Sequence, residues 1–335
     1  MEQAALIDQR SQGSKIWKRF KRNPLAIVGA VLLALFLLTA LFAPQLTAGQ
    51  MSRSCLRGIG VTADTVQEIR NPFRPAFWKA TFATPMDCMM LPRAGFSPVP
   101  SKPGPDNVLG TTSNGYDILY GVIWGARTAF YEGVFVVTIA LLIGILLGSL
   151  AGFFGGWVDT ALMRFTDIVF AFPSLILVMV IVTFLGNSLL NIMVAIAAVQ
   201  WCTYARLLRG DVMQIKEMEF IDGARSVGTR NARVILRHIL PNSIGPLVII
   251  ASLDIGSVVL TAAALSFLGL GLQPGFADWG QMISFARDWI LGPPGQPLGY
   301  WFVSFWPGLT IILFVLGWNL LGDAFRDVLD PRSSA

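Results

Sequence analysis

The sequence predicts an all-α polytopic membrane protein with six transmembrane helices, and three observations predict it. Hydrophobic residues fill 54% of the 335 positions and charged residues only 13%, more apolar surface than a water-soluble core of this size can hide. Six runs approach the ~20 residues needed to cross a hydrocarbon layer. They are Leu25–Ala43, Gly133–Phe154, Ile168–Leu185, Leu189–Leu208, Ile244–Leu268 and Phe302–Leu321. Cations gather at one end of these runs: Arg10, Lys15, Lys18, Arg19, Lys21 and Arg22 before the first, Arg164 after the second, Arg206 through Arg237 after the fourth, and Arg326 and Arg332 after the last. The short loops at the opposite end hold only Arg287. The positive-inside rule then places both termini in the cytoplasm, and the net charge of +5 reflects membrane sidedness and not a nucleic-acid patch.

Each element can be justified in turn. Residues 1–23 mix Ile16, Trp17 and Phe20 with cations, which suits a short helix in the inner headgroup layer. The first span, 24–44, stays as a helix, because no small-x-small cleavage pattern follows Phe42-Ala43-Pro44. Residues 45–129 form an extracytoplasmic insertion and cap, rich in prolines and charges as far as Asn107 and too long for a simple connector. The insertion holds Cys55 and Cys88 on the oxidising side, and two readings stay open: a disulfide stapling a small subdomain, or two free thiols. Cys202 lies in an apolar run and reads as packing.

Residues 130–322 are expected to form a core of five helices. Gly144, Gly148 and Gly152 give the second span a small-xxx-small ridge for close packing inside the subunit. A tight turn at Gly155-Gly156 leads to a third span kinked at Phe172-Pro173-Ser174, and the short turn Gly186-Asn187-Ser188 makes spans three and four antiparallel neighbours. Asp254 lies near the middle of the fifth span, where an ionisable group is expensive. It lines a translocation path, or it makes a structural hydrogen bond to a neighbouring helix or to another subunit. Trp279, Ile283, Ala286 and Ile290 recur at helical spacing, as in a short interfacial helix at the outer surface or cavity mouth. Tyr300, Trp301 and Trp306 suit the outer aromatic belt, and residues 323–335 form a cytoplasmic tail.

The loop 211–241 is the segment built to be read by another protein. Asp222-Gly223-Ala224 sits on a first short helix, Gly228 can cap its end, and Leu240-Pro241 can start the next span. Gly223 and Ala224 let a partner's backbone come close, while Asp222 and Arg225 offer charge for pairing.

An acidic residue, a small residue and Ala, then three residues, Gly and about a dozen more to Leu-Pro is similar to the EAA loop of ABC importer permeases. Asp222 stands where that family usually has Glu, and Gly223 where it usually has Ala. Other segments resemble the dipeptide/oligopeptide/nickel branch: the basic entry through Asn23-Pro24-Leu25, Leu109-Gly110-Thr111 through Asp117 with Gly125-Ala126-Arg127, Tyr204 through Gly210, Ala264 through Gly271, and Asn319 through Arg332. Thr112 and Tyr116 replace the Asp and Arg usual there.

The resemblance, to the second or DppC/OppC-type permease, implies the ABC importer (type I) architecture with an extracytoplasmic insertion after the first helix. It implies half of a pore working by alternating access. The implied partners are a homologous second permease subunit, two cytoplasmic ATP-binding subunits, an extracytoplasmic substrate-binding protein and the lipid bilayer, with no nucleic acid. It also makes Asp222, Gly223, Ala224, Arg225 and Gly228 the ATPase-coupling residues. ATP and Mg are expected on the partner ATPases and no cofactor or metal on this chain.

No lysine in the chain follows a glycine, so the phosphate-cradling Gly-Lys of a Walker A loop is absent, and the lone His238 offers no convincing nucleophile-base pair. No catalytic residue is therefore expected. Peptide is the leading substrate; nickel chelates and oligosaccharides remain alternatives. The rivals from other classes are a stand-alone secondary transporter, in which Asp254 carries the coupling, and an intramembrane enzyme or scaffold.

Overall fold

In a computed structural model of the chain, residues 23–82, 84–93, 99–292, 296 and 298–329 are described. The expected interfacial segment before Asn23 and the tail from Asp330 lie outside the described residues. Among the described residues the chain is helical, and its extended pairings are isolated bridges.

Helix α1, Pro24–Leu41, begins where Asn23 Oδ1 accepts the Leu25 and Ala26 N–H groups at 3.0 and 3.4 Å, with proline at the position where its missing N–H costs least. The Asn23 amide also donates to Asp327 Oδ2 at 3.0 Å, tying this start to the far end of the chain. Short helices α2 (Ala43–Leu46), α3 (Arg53–Ile59) and α4 (Pro75–Phe82) then build the insertion. Cys55 and Cys88 are joined by a disulfide, with their Cα atoms 4.7 Å apart.

Helix α5 runs unbroken over Ile118–Phe154, 37 residues. At 1.5 Å per residue that is roughly 55 Å, well beyond a ~30 Å hydrocarbon layer. The excess goes into the insertion. Tyr120 donates to the Cys88 carbonyl at 2.7 Å, Trp124 Nε1 to Thr47 Oγ1 at 2.9 Å, and both rings are buried with Ile59 and Ile69. The boundary expected at 129/130 therefore falls inside one helix. Composition marks where α5 becomes apolar, but Asp117, accepting from the Tyr120 N–H at 2.7 Å, marks where it starts.

The glycine ridge of α5 is its line of contact with helix α8, Leu189–Ile215. A Cβ on Gly148 would lie 2.5 Å from the Ala205 carbonyl oxygen, and one on Gly144 2.4 Å from the Tyr204 Cβ. Only hydrogen in place of Cβ lets these backbones approach so closely.

Between them stand α6, Gly156–Phe170, and α7, Ser174–Leu185, bent by 89° to each other. The expected single kinked span is thus two helices. Pro173 offers no N–H to continue α6, and its carbonyl instead accepts the Leu177 N–H at 3.1 Å to begin α7. Twelve residues of α7 rise only about 18 Å, so a crossing here needs part of α6 as well. Five described helices are long and apolar enough to cross alone, and the number is six if the bent pair is counted as one span. Arg206 and Arg209 of α8 fasten α6 through Asp167 and Asp159, each with an oxygen at 2.6 Å.

After the loop helices α9 (Glu219–Ser226) and α10 (Asn231–Val234) comes α11, Leu240–Phe267. Leu240-Pro241 opens α11 as expected, with proline in its first turn, but the helical run does not begin there. A π-helical turn, Ile235–Ile239, joins α10 to α11, with the Leu240 N–H bonded to the Ile235 carbonyl, so the apolar helix runs from Asn231 to Phe267. Widening the turn relieves the clash that a proline ring makes with the carbonyl one turn before it.

Helix α12, Trp279–Ala286, was expected at an interface, yet Trp279, Met282 and Ala286 are all buried. Gly125 of α5 makes room for the Trp279 indole, and Gly280 lies against the Ala263 backbone of α11. Of the expected stripe, Ile283 is half-buried and Ile290, beyond the helix, is exposed, so only its first part has been used as core. Helix α13, Phe302–Leu329, closes the bundle against α1, where a Cβ on Gly29 would sit 2.8 Å from the Leu320 Cβ.

Non-reducing peptide mapping of the intact protein is expected to recover the Cys55 and Cys88 fragments joined, and Cys88→Ser to destabilise the insertion by about 2–4 kcal/mol. Separate fragments carrying free thiols would remove the staple.

Candidate coupling loop and membrane polar site

An isolated helix of eight residues is marginal in water, so α9 must be ordered by its surroundings. Three local features do this. Ile221 is fully buried beneath the helix, the Arg225 guanidinium lies 5.4 Å from the centre of the Phe153 ring of α5, and the C-terminus is closed by Gly228. At that end the Gly228 N–H bonds the Arg225 carbonyl at 2.9 Å and the Thr229 N–H reaches the Ala224 carbonyl at 3.2 Å. This paired closure is a Schellman motif, and it requires the left-handed backbone, φ +76°, that Gly228 adopts. The exposed Asp222–Arg225 pair, 3.8 Å apart, adds little by itself.

Ile221 faces inward; the remainder of α9 is largely open. Asp222, Gly223 and Arg225 are exposed, Ala224 is half-buried, and no atom lies within 4 Å of a Cβ built on Gly223. Around them Met218, Phe220, Val227 and Leu236 are exposed apolar residues, Val227 by 80%. The loop thus brings all five sequence-read residues onto one short element and adds apolar side chains that sequence reading missed. Their signal was there: Phe220 and Val227 are large apolar residues in a polar, glycine-bearing segment outside the apolar runs.

Asp254 stands apart from the loop, within the spans. Its Oδ2 accepts the Tyr204 hydroxyl at 2.7 Å and the Gln200 amide at 3.0 Å, so it holds α8 to α11. The residue is nevertheless half-buried, and Ser257 and Thr261, one and two turns further along α11, are exposed and half-buried. Both sequence readings of Asp254 thus have a structural counterpart, a helix-to-helix hydrogen bond and a partly open polar face. Gln200 and Tyr204 were not singled out from sequence, although two polar residues four apart in an apolar run share a helix face. Cys55 and Cys88 lie at the opposite end of the bundle, in the insertion.

Comparison with known proteins identifies the family of the chain. The family described as binding-protein-dependent transport system inner membrane component matches residues 144–335, and the N-terminal TM domain of oligopeptide transport permease C matches residues 11–53. The chain is 38% identical to the dipeptide transport system permease protein DppC of Alkalihalophilus pseudofirmus, over 94% of this chain and 88% of that protein. It is 38% identical to the glutathione transport system permease protein GsiD of Pectobacterium atrosepticum, over 77% and 82%. It is also 35% identical to the probable D,D-dipeptide transport system permease protein DdpC of Escherichia coli K12, over 97% and 93%.

Replacing Gly228 by valine forces a β-branched residue into the left-handed region at a cost of about 1–2 kcal/mol. Amide exchange over Arg225–Thr229 in the full-length protein should then quicken by roughly 5–30-fold, with membrane insertion unchanged. Exchange equal to wild type would mean that the cap does not order α9.

Proposed function

The chain belongs to the binding-protein-dependent transport system inner membrane components, as an ABC permease of the DppC/OppC type, and from that premise we propose how it works as half of a peptide importer's pore. Its partners are a homologous second permease, two cytoplasmic ATP-binding subunits and an extracytoplasmic substrate-binding protein. ATP and Mg belong to the ATP-binding subunits, and this chain contributes no catalytic residue. Both termini and α9 face the cytoplasm, a reading supported by the lysine and arginine asymmetry. The cargo is di- or oligopeptides, by analogy with the dipeptide and glutathione systems of its relatives.

The observation that carries the coupling role is the exposure of α9 around a single buried anchor. A fixed knob with Asp222, Gly223 and Arg225 open and apolar residues beside them fits a groove on an ATP-binding subunit. Only Val227–Arg230 separate α9 from the continuous helical run that begins at Asn231. Closure of the ATP-binding pair pulls on α9, and the pull passes into α11. There Asp254, through Tyr204 and Gln200, carries α8 with it. The α8–α11 pair therefore moves as a unit and switches the side to which the half-pore opens. Hydrolysis releases the pull and resets it.

Asp254, with Ser257 and Thr261 on the same face, lines the path, where its carboxylate attracts the ammonium end of a passing peptide. Asparagine at this position keeps an acceptor for Tyr204 and removes the charge. Asp254→Asn is expected to assemble normally and lower peptide uptake about tenfold, the effect of losing ~1.4 kcal/mol. Undiminished uptake would confine Asp254 to fastening the helices.

The decisive experiment is co-purification of a tagged copy expressed with its chromosomal neighbours, alongside Asp222→Lys. Wild type should bring down two ATP-binding subunits and a second permease, and the charge reversal should release them or uncouple ATP hydrolysis from transport. A chain that purifies alone and still moves peptide in vesicles would overturn the mechanism in favour of a stand-alone secondary transporter.

A further inference from the structure

A groove of about 590 Å³ runs between α1 and α5 at the end of the bundle nearest the insertion. That volume is within the ~300–1,000 Å³ typical of small-molecule sites. Its walls are apolar, including Leu37, Phe130, Val134 and Ile139, and it opens sideways where Leu37, Tyr131 and Val134 are exposed. Arg127 also lines it and is only 7% exposed.

The partners of Arg127 are all neutral. One terminal nitrogen donates to Thr84 Oγ1 at 2.9 Å, the other to the Thr81 carbonyl at 2.6 Å, and the Trp124 ring centre is 5.8 Å from the guanidinium carbon. Among the described residues no carboxylate pairs with it. A cation kept beside hydrocarbon without an anion is costly, since buried charges are ordinarily paired. Arginine's planar fork is also the side chain best matched to phosphate. Tyr131, one turn further along α5 and exposed, has the amphipathic ring found at headgroup level.

We propose that this groove is a phospholipid site: an acyl chain lies along α1 and α5, and the lipid phosphate supplies the missing anion to Arg127. A soluble peptide would gain nothing from so apolar a wall, whereas a lipid meets an apolar trough and a cation in the order of its own parts. The bound lipid fills the seam where the insertion, through Thr81 and Thr84, sits on the helices, and so braces the insertion against the bundle. This site is independent of the coupling loop and of the peptide path.

The test is native mass spectrometry of the full-length protein from nanodiscs containing phosphatidylglycerol or, in parallel, a galactolipid with the same acyl chains. Wild type should keep phosphatidylglycerol through delipidation, and Arg127→Gln should keep about tenfold less. Val134→Trp, which fills the groove at its exposed rim without touching the insertion, should lose it equally and covers the case in which the arginine variant fails to fold. Leu142→Trp, exposed on α5 outside the groove, should behave as wild type. Equal retention by Val134→Trp and wild type, or equal retention of the galactolipid, would overturn the proposal. A photoreactive benzoylphenylalanine at Val134 in cells should yield a lipid adduct; a cross-link to another polypeptide would show that a protein helix occupies the groove.

Discussion

The close crossing of α5 and α8 is the contact on which the remaining arrangement depends. Lipid offers no hydrophobic drive for helices to associate, so their contact rests on van der Waals packing, which falls away steeply with separation. Gly144, Gly148 and Gly152 remove the side chains that would hold the backbones apart. The consequence extends past packing. Gly144 receives the Tyr204 Cβ, and the hydroxyl of that tyrosine reaches Asp254 on α11. One stripe of hydrogens thus places the tyrosine that holds the intramembrane carboxylate.

The same helix, α5, is also the post on which the insertion is mounted. A subdomain built from short helices has little core of its own, and small folds of this kind ordinarily need staples. Here the staples are the Cys55–Cys88 disulfide and the first turns of α5, whose Tyr120 and Trp124 are donated to the insertion's interior. The seam between insertion and bundle is consequently where polar and lipid-facing requirements collide. Arg127 sits on that seam with neutral partners, which makes it an expensive group that a lipid phosphate can satisfy.

At the other end the economy is reversed. Helix α9 has one fully buried residue, Ile221, and a closed C-terminus, and it leaves Phe220 and Val227 in contact with solvent. An element held by its own chain on one face only leaves the other face for another protein to hold. From Asn231 the π-helical turn continues without a break into α11, so that only Val227–Arg230 lie between α9 and a helical run into the membrane.

The sequence by itself determined that the chain lives in lipid, where its long apolar runs lie and that Asp254 needed an explanation. These were legible because the bilayer imposes a length on every apolar run and a cost on every buried charge, and both can be counted along one dimension. Gly228 was readable for a similar reason, since few residues tolerate its backbone conformation. Direction and partnership were decided only by the tertiary structure. Pro173 could have kinked a helix and instead separates α6 from α7 at 89°, while Pro241 opens α11 directly behind a π-helical turn, so that the helical run continues through it. The difference lies in whether the freed carbonyls find a widened turn or a new helix start, and neighbouring elements supply that choice. Likewise Trp279 and Ala286 became core while Ile290 stayed exposed, and Asp254 found Tyr204 and Gln200, because hydropathy measures how strongly a residue avoids water, not which surface will cover it.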